Sequence, residues 1–288
     1  MTEGLAPRRQ LPIILPPVSD ELLSSWITRH ATFYGVPPLI MLQHCLPEAS
    51  SLRAADFRLT DVQIRHLSKM FAMEPHALRR MTFVNVAQTS HRLIAATPVH
   101  SCPKCVSANT DPKPIMRGQI QGWRITCPVC ESPLHGNREP EVPSPFRCHW
   151  SSALRGQKLV DNEVERGHRT WARPTDIARL LLMRRLPKTI SAHTRLEQFR
   201  VLGAIVPELD DVVAEKQIIL PSPASPILPL HLRPALLAGV AIVERAGPAM
   251  LEMLHAHTLG ENRTRFGRLA AATIGSDRLL KPTQLQLI

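Results

Sequence analysis

Four cysteines have the types and spacing for metal chemistry. Cys102-Pro103-Lys104-Cys105 and Cys127-Pro128-Val129-Cys130 are two C-x-x-C pairs separated by 21 residues, 106 to 126. Each pair bends as a knuckle and offers two thiolates to one ion. Two knuckles complete a tetrahedron at Zn–S distances of about 2.3 Å. Six cysteines, four of them in these pairs, suit a metal in a reducing cytoplasm better than paired disulfides. Four thiolates close the coordination sphere and leave no position for a water, so the expected cofactor is one structural Zn2+. By simple counting the thiolates leave a charge of about −2 on the cluster. Lys104 and Arg124, close in sequence, can offset it. The ion is expected to contribute to the folding free energy of its module. His135, Cys148 and His149 lie nearby but make at most three further ligands, and they read as surface or packing residues. Cys45, in an apolar helix, reads as a core thiol.

Other chemistry is unmarked. The chain has no G-x-x-x-x-G-K-[ST] loop, no G-x-S-x-G and no H-E-x-x-H. Asp210 and Asp211 are adjacent, and Glu208 to Glu215 reads as a solvated acidic face. His255 and His257 are two apart and point to different sides of a helix. The reading is a binding module rather than an enzyme. An enzyme would need an unmarked carboxylate set, as in two-metal strand transfer.

Charge points to the partner. Basic residues number 35 against 24 acidic ones, a net charge of +11, and only seven of the 35 are lysine. Arginine forks onto phosphate and stacks on bases, and binding a phosphate backbone releases counterions. A GC-rich genome would enrich arginine, alanine and proline in the same way. Arg79, Arg80, Lys104, Arg117 and Arg124 are the candidate phosphate contacts, each equally readable as solvated surface. No run of 18 apolar residues exists, so no membrane span is expected. Leu11 to Val18 is interrupted by Pro12, Pro16 and Pro17, a poor signal peptide even with Arg8 and Arg9 before it, and the chain is expected in the cytoplasm.

The elements that must position these residues read as mainly α. Hydrophobic residues make up 44% of the chain and aromatics 4%, so the cores rest on aliphatic side chains. Ser19 is expected to cap a helix with Asp20 and Glu21 in its first turn and Leu22, Leu23, Trp26, Ile27 and His30 on one face. Gly35 and Pro37-Pro38 stop it, and a short apolar helix follows over Leu39 to Leu46. Thr60 opens another helix, lined by Ile64, Leu67, Met70 and Phe71, with a break at Met73-Glu74-Pro75 and a short helix from His76 to Met81. Helix, tight turn and helix with terminal arginines resembles a helix-turn-helix. Gly118 and Gly122 are placed at turns in the spacer between the knuckles, with Trp123 and Ile125 on a strand face. Thr175-Asp176 caps a helix from Ile177 to Leu186 that ends at Arg184-Arg185. From Arg155 to Arg200 there are 11 basic and 5 acidic residues. Helices are read from Pro234 to His257, and a further helix with a loose end from Arg263. The expected organisation is a helical, helix-turn-helix-like domain over 1–97, a four-cysteine zinc ribbon over 98–150, a basic helical region over 151–219, a proline-rich linker over 220–234 and a helical segment over 235–288.

Leu15-Pro16-Pro17 followed by Asp20-Glu21-Leu22-Leu23-Ser24-Ser25-Trp26-Ile27-Thr28-Arg29 resembles the N-terminal signature of TniQ proteins. Leu67 to Thr82 resembles the next helices of that family, and Cys102-Pro103-Lys104-Cys105, Trp123 and Cys127-Pro128 resemble its zinc region. The matches come in order over roughly residues 11–135, and Arg233 to Phe266 is loosely similar to the C-terminal regions of longer members. Family members often carry C-P-x-H at the second knuckle and a further C-x-x-C after it. Here Cys130 replaces that histidine and no further pair follows, which points to one zinc.

The resemblance implies a non-catalytic transposition accessory. Such a protein works with an AAA+ ATPase regulator and a separate DDE transposase, contacts target DNA, and in some systems bridges a guide-RNA effector to the ATPase. By analogy the N-terminal helices would meet the ATPase, and the helix-turn-helix and zinc regions DNA or another complex. A homodimer is left open. The alternative is a stand-alone zinc-ribbon and helix-turn-helix DNA-binding regulator that needs no ATPase.

Overall fold

The proline-rich lead-in and the first helix are locked together by side chains of the helix itself. The structure, a computed structural model, describes residues 10–105, 112–137, 144–185, 198–258 and 260–275. Arg8 and Arg9, the expected Leu186 end of a helix, and the loose C-terminal end lie outside these. Helix α1 runs Leu23–Phe33. Its residues Trp26 and His30, four apart and on one face, clamp the backbone of Leu15. The indole Nε1 donates to the Leu15 carbonyl at 2.8 Å, and the Leu15 amide donates to His30 Nε2 at 3.0 Å. Nδ1 of His30 then donates to the Trp26 carbonyl at 2.9 Å, which fixes a neutral tautomer.

The start of α1 differs from expectation. Ser19 is not the cap. The N-cap is Leu22, without a side-chain hydrogen bond, and Asp20 takes a left-handed φ of 62°. Glu21 is not a dipole-facing surface acid either. It is buried and accepts both forks of Arg29, Nε to Oε1 at 2.8 Å and Nη2 to Oε2 at 2.7 Å. The same Glu21 receives the Val18 amide at 2.9 Å, and Arg29 donates to the Pro16 carbonyl at 2.8 Å. The prolines cannot pair in a ladder, so charged side chains hold their segment instead.

The mainly α reading holds. Among the described residues, strand is limited to β1, His100–Ser101, and β2, His135–Gly136. The chain divides into two compact units. The first comprises residues up to Val86 with Ala96–Gln121 and Thr126–Leu134; the second comprises Ala87–Ala95, Gly122–Ile125 and the chain from His135.

In the first unit, α1 is followed by α2 (Pro38–Cys45), α3 (Leu52–Phe57), α4 (Asp61–Met70), α5 (Pro75–Arg80) and the short α6 (Arg117–Ile120). Thr60 and Gln63 form a reciprocal capping box at the start of α4. Ile64, Leu67, Met70 and Phe71 are buried as their helical spacing requires, in one core with Trp26, Leu42 and Cys45. The turn between α4 and α5 puts Ala72 at a φ of 44°, and Arg79 at the end of α5 reaches Asp61 at the start of α4, 2.6 Å away.

In the second unit, α7 (Trp150–Arg166), α8 (Pro174–Leu181), α9 (Glu208–Glu215), α10 (Arg233–Ala246), α11 (Pro248–Ala256) and α12 (Gly260–Ile274) surround an aliphatic core. Helix α10 packs on α7 so closely that a Cβ on Gly156 would lie 1.9 Å from the Leu237 carbonyl oxygen. Helix α8 ends at Leu181 rather than Leu186. Arg185, beyond it, is buried, ion-paired with Asp210, and donates to the Arg200 carbonyl at 2.8 Å. Asp210 is therefore not part of a fully solvated acidic face. The proline-rich segment 220–234 sends Leu220, Leu228 and Leu232 into the same core.

Candidate metal centre

Cys102, Cys105, Cys127 and Cys130 converge in the first unit. Their sulfur atoms are separated by 3.4 Å (Cys102–Cys130), 3.6 Å (Cys105–Cys130) and 3.8 Å (Cys105–Cys127). Four sulfurs at Zn–S bond length in a tetrahedron have edges of about 3.8 Å, so the cluster fits a metal of that size and geometry.

Backbone geometry builds each knuckle. The Cys105 amide donates to the Cys102 carbonyl at 3.3 Å. In the second knuckle the Val129 amide points at Cys127 Sγ at 3.4 Å, the Glu131 amide bonds the Cys127 carbonyl, and Glu131 turns through a φ of 59°. The Cys127 amide then bonds the Ser132 carbonyl at 2.8 Å, and Thr126 pairs with Pro133 in a single antiparallel bridge.

The protonation chemistry of the donor set also fits a cation. Burial and the neighbouring thiols push Cys105 up, and burial pushes Cys127 up. Hydrogen bonding from the Ser132 side chain and backbone, with help from neighbouring thiols, lowers Cys130 to about 6. Four thiols this close resist ionising together. A divalent cation is what would let all four be thiolates. Cys102 and Cys127 are buried while Cys130 is exposed, so one edge of the centre faces solvent. An open cavity of about 440 Å³ lies beside the knuckles, lined by Val18, Ile115, Met116, Val129 and Leu134, large enough for a bulky apolar side chain.

The spacer between the knuckles carries the short helix α6. Its middle is strapped to the lead-in of α1. The Leu22 amide bonds the Ile115 carbonyl at 2.9 Å, and the Ile115 amide bonds Ser25 Oγ at 2.8 Å. Asp20 caps α6: its carbonyl takes the Arg117 amide at 2.7 Å and its carboxylate the Gly118 amide at 2.7 Å. Gly118 lies within α6 rather than in a turn, and a Cβ there would sit 2.8 Å from Pro128 Cγ of the second knuckle. Gly122 is at a turn, as expected.

Trp123 and Ile125 are buried but not on a strand. In the second unit the Trp123 indole donates to Asp161 Oδ1 at 2.7 Å and the Ile125 amide to Gln157 Oε1 at 2.8 Å. The α7 side chain of Gln157 thus takes a backbone amide that a ladder would otherwise have bonded.

The five candidate cations separate by environment. Lys104 and Arg80 are exposed, and Arg79 is half-buried against Asp61. The Arg117 guanidinium lies over the Phe83 ring, 4.7 Å from its centroid, near Asp20. Phe83 in turn stacks on Phe57, and the Arg53 guanidinium lies over the Phe57 ring, 4.8 Å from its centroid. Arg124 is buried, 3.1 Å from Asp161. Composition alone did not single out Arg53, Arg58, Arg65 and Lys69, all exposed around α3 and α4. Arg65 and Lys69 are four apart on the outer face of α4, a spacing that could have flagged them. Cys148 and His149, read from sequence as surface or packing residues, are joined by a carboxylate that sequence could not place beside them, Glu208.

A family model, TniQ, matches residues 12–155, half of the chain. No curated protein and no solved structure matches the chain.

Proposed function

The chain belongs to the TniQ family, and from that membership we propose that it is a non-catalytic adaptor in DNA transposition. It would contact an AAA+ ATPase regulator on one side, and target DNA or a targeting complex, such as a guide-RNA effector or the DDE transposase assembly, on the other. The observation that carries the DNA half of this reading is the set of exposed cations on α3 to α5. Arg53, Arg58, Arg65, Lys69 and Arg80 are all open to solvent, against two exposed acids on the same stretch, Asp61 and Glu74. Such a set suits phosphate contact without reading sequence.

Of the five candidate phosphate contacts, Arg79, Arg80 and Lys104 keep that role in this proposal. Arg117 and Arg124 act inside the protein: one lies on the Phe83 ring, the other neutralises Asp161. The four-cysteine centre offers no position for substrate and acts as a folding staple, a zinc ion by ligand type and spacing.

The test uses the full chain. Binding to duplex DNA is measured at low and at physiological salt, and the protein is used as bait for an AAA+ ATPase regulator. Salt-sensitive binding and recovery of the ATPase are expected. Failure of both at low salt overturns the reading. A footprint on one defined operator with no ATPase recovered would establish the DNA-binding regulator instead.

A further inference from the structure

We propose that Cys148, His149 and Glu208 hold a second divalent transition-metal ion, zinc by ligand chemistry, with three protein ligands and one open position. The three donor atoms all lie within 4.8 Å of one another. His149 Nε2 is out of solvent and makes no hydrogen bond, yet it faces Glu208 Oε2 at 3.5 Å. That separation is too long for a charge-assisted hydrogen bond, which closes to about 2.7–2.9 Å. It is the length expected between two ligands of one tetrahedral ion, about 3.3–3.8 Å for bonds of about 2.0–2.3 Å. One thiolate and one carboxylate balance the charge of a divalent cation, and a neutral imidazole adds none.

The scaffold anchors the backbone that carries the donors. Cys148 and His149 sit in a 3-10 turn, Arg147–His149, that leads directly into α7. Phe146, fully buried, anchors this turn, and the His149 amide bonds the Phe146 carbonyl at 3.0 Å. Glu208 opens α9, and the next residue, Leu209, is fully buried in the same core. Cys148 and Glu208 are exposed, so their side chains can adjust to an ion while His149 stays fixed. The site lies wholly in the second unit. It shares no residue with the four-cysteine centre and does not depend on the adaptor reading.

The test is zinc content of the full chain after extensive dialysis against metal-free buffer. About two equivalents are expected for the wild type and about one for Glu208→Gln and for His149→Gln. Cobalt substitution supplies an independent readout. The thiolate-to-cobalt absorption should fall only slightly in Cys148→Ser, since one thiolate in five is removed, whereas the second equivalent of cobalt should no longer bind. Glu208→Gln and His149→Gln should keep the wild-type far-ultraviolet dichroism. One zinc in the wild type, a second zinc that dialyses away, or two zincs retained in both variants would each overturn the assignment.

Discussion

Arg29 holds Glu21 by both carboxylate oxygens, at 2.8 and 2.7 Å, with neither side chain appreciably open to water. The pair explains the spacing of the N-terminal signature. Glu21 stands before α1 and Arg29 two turns into it, and Ser25, between them, also donates to Glu21, at 3.2 Å. Breaking such a pair leaves one charge buried without its partner, at a cost of about 3–5 kcal/mol. Glu21→Ala and Arg29→Ala should each lower stability by that amount. The double substitution to apolar residues of similar size, Glu21→Leu with Arg29→Met, should recover much of the loss. Denaturant melts of the four proteins check this, and equal destabilisation in the double variant would count against it.

Two buried titratable groups give the stability opposite pH slopes. Burial pushes Asp56 up from 3.8 to about 6. Between those values the folded chain holds a proton that the unfolded chain has released, so stability rises as pH falls through 6 and levels off below about 4. Asp56→Asn should therefore exceed the wild type above pH 6 by up to about 3 kcal/mol, with the gap closing in acid. Melts of the two proteins across pH 4 to 8 check this, and a gap independent of pH would contradict it.

His30 behaves the other way. Burial lowers its value below 6.5, and its Nε2 must stay unprotonated to accept the Leu15 amide. The unfolded chain takes up the proton first, so this contribution is intact above 6.5 and is lost as pH falls below it. In melts across pH 5 to 8, His30→Gln should narrow its deficit against the wild type as the solution is acidified. A deficit that widens in acid would contradict the neutral clamp.

Metal removal should unfold the knuckles and loosen what they carry. Chelation or Cys127→Ser is expected to cost at least as much as a large core truncation, about 2–5 kcal/mol, with loss of the ion. Cys130 is exposed at the rim, where a histidine has room. Cys130→His should keep the wild-type zinc content and Cys130→Ala should lose the equivalent held by the knuckles, as elemental analysis of the purified variants would show.

The cations divide into two experimental classes. Arg80→Ala and the pair Arg65→Ala with Lys69→Ala should weaken DNA binding and reduce its salt slope by about one for each phosphate no longer engaged, with little change in melting. Arg124→Ala should do the reverse, because it leaves the half-buried Asp161, already pushed up by desolvation, without its guanidinium. A salt slope unchanged by the first set would remove the exposed face of α4 and α5 from the DNA interface.

What the sequence determined by itself is what rests on local spacing. The two C-x-x-C pairs imply a four-thiolate centre because two residues between cysteines set the bend of a knuckle. The apolar periods of α1 and α4 mark their buried faces because 3.6 residues make a turn. The order of Trp26, the short helices and the cysteines carries the family. Tertiary structure alone decided which polar groups meet across long separations. It turned Glu21 inward to Arg29, bent Asp20 over to cap α6, laid Arg117 on Phe83, buried Arg124 against Asp161, and brought Glu208 to Cys148 and His149. No periodicity encodes those meetings. A charged residue looks the same in sequence whether water or a buried partner satisfies it, and only the packing around it selects between the two.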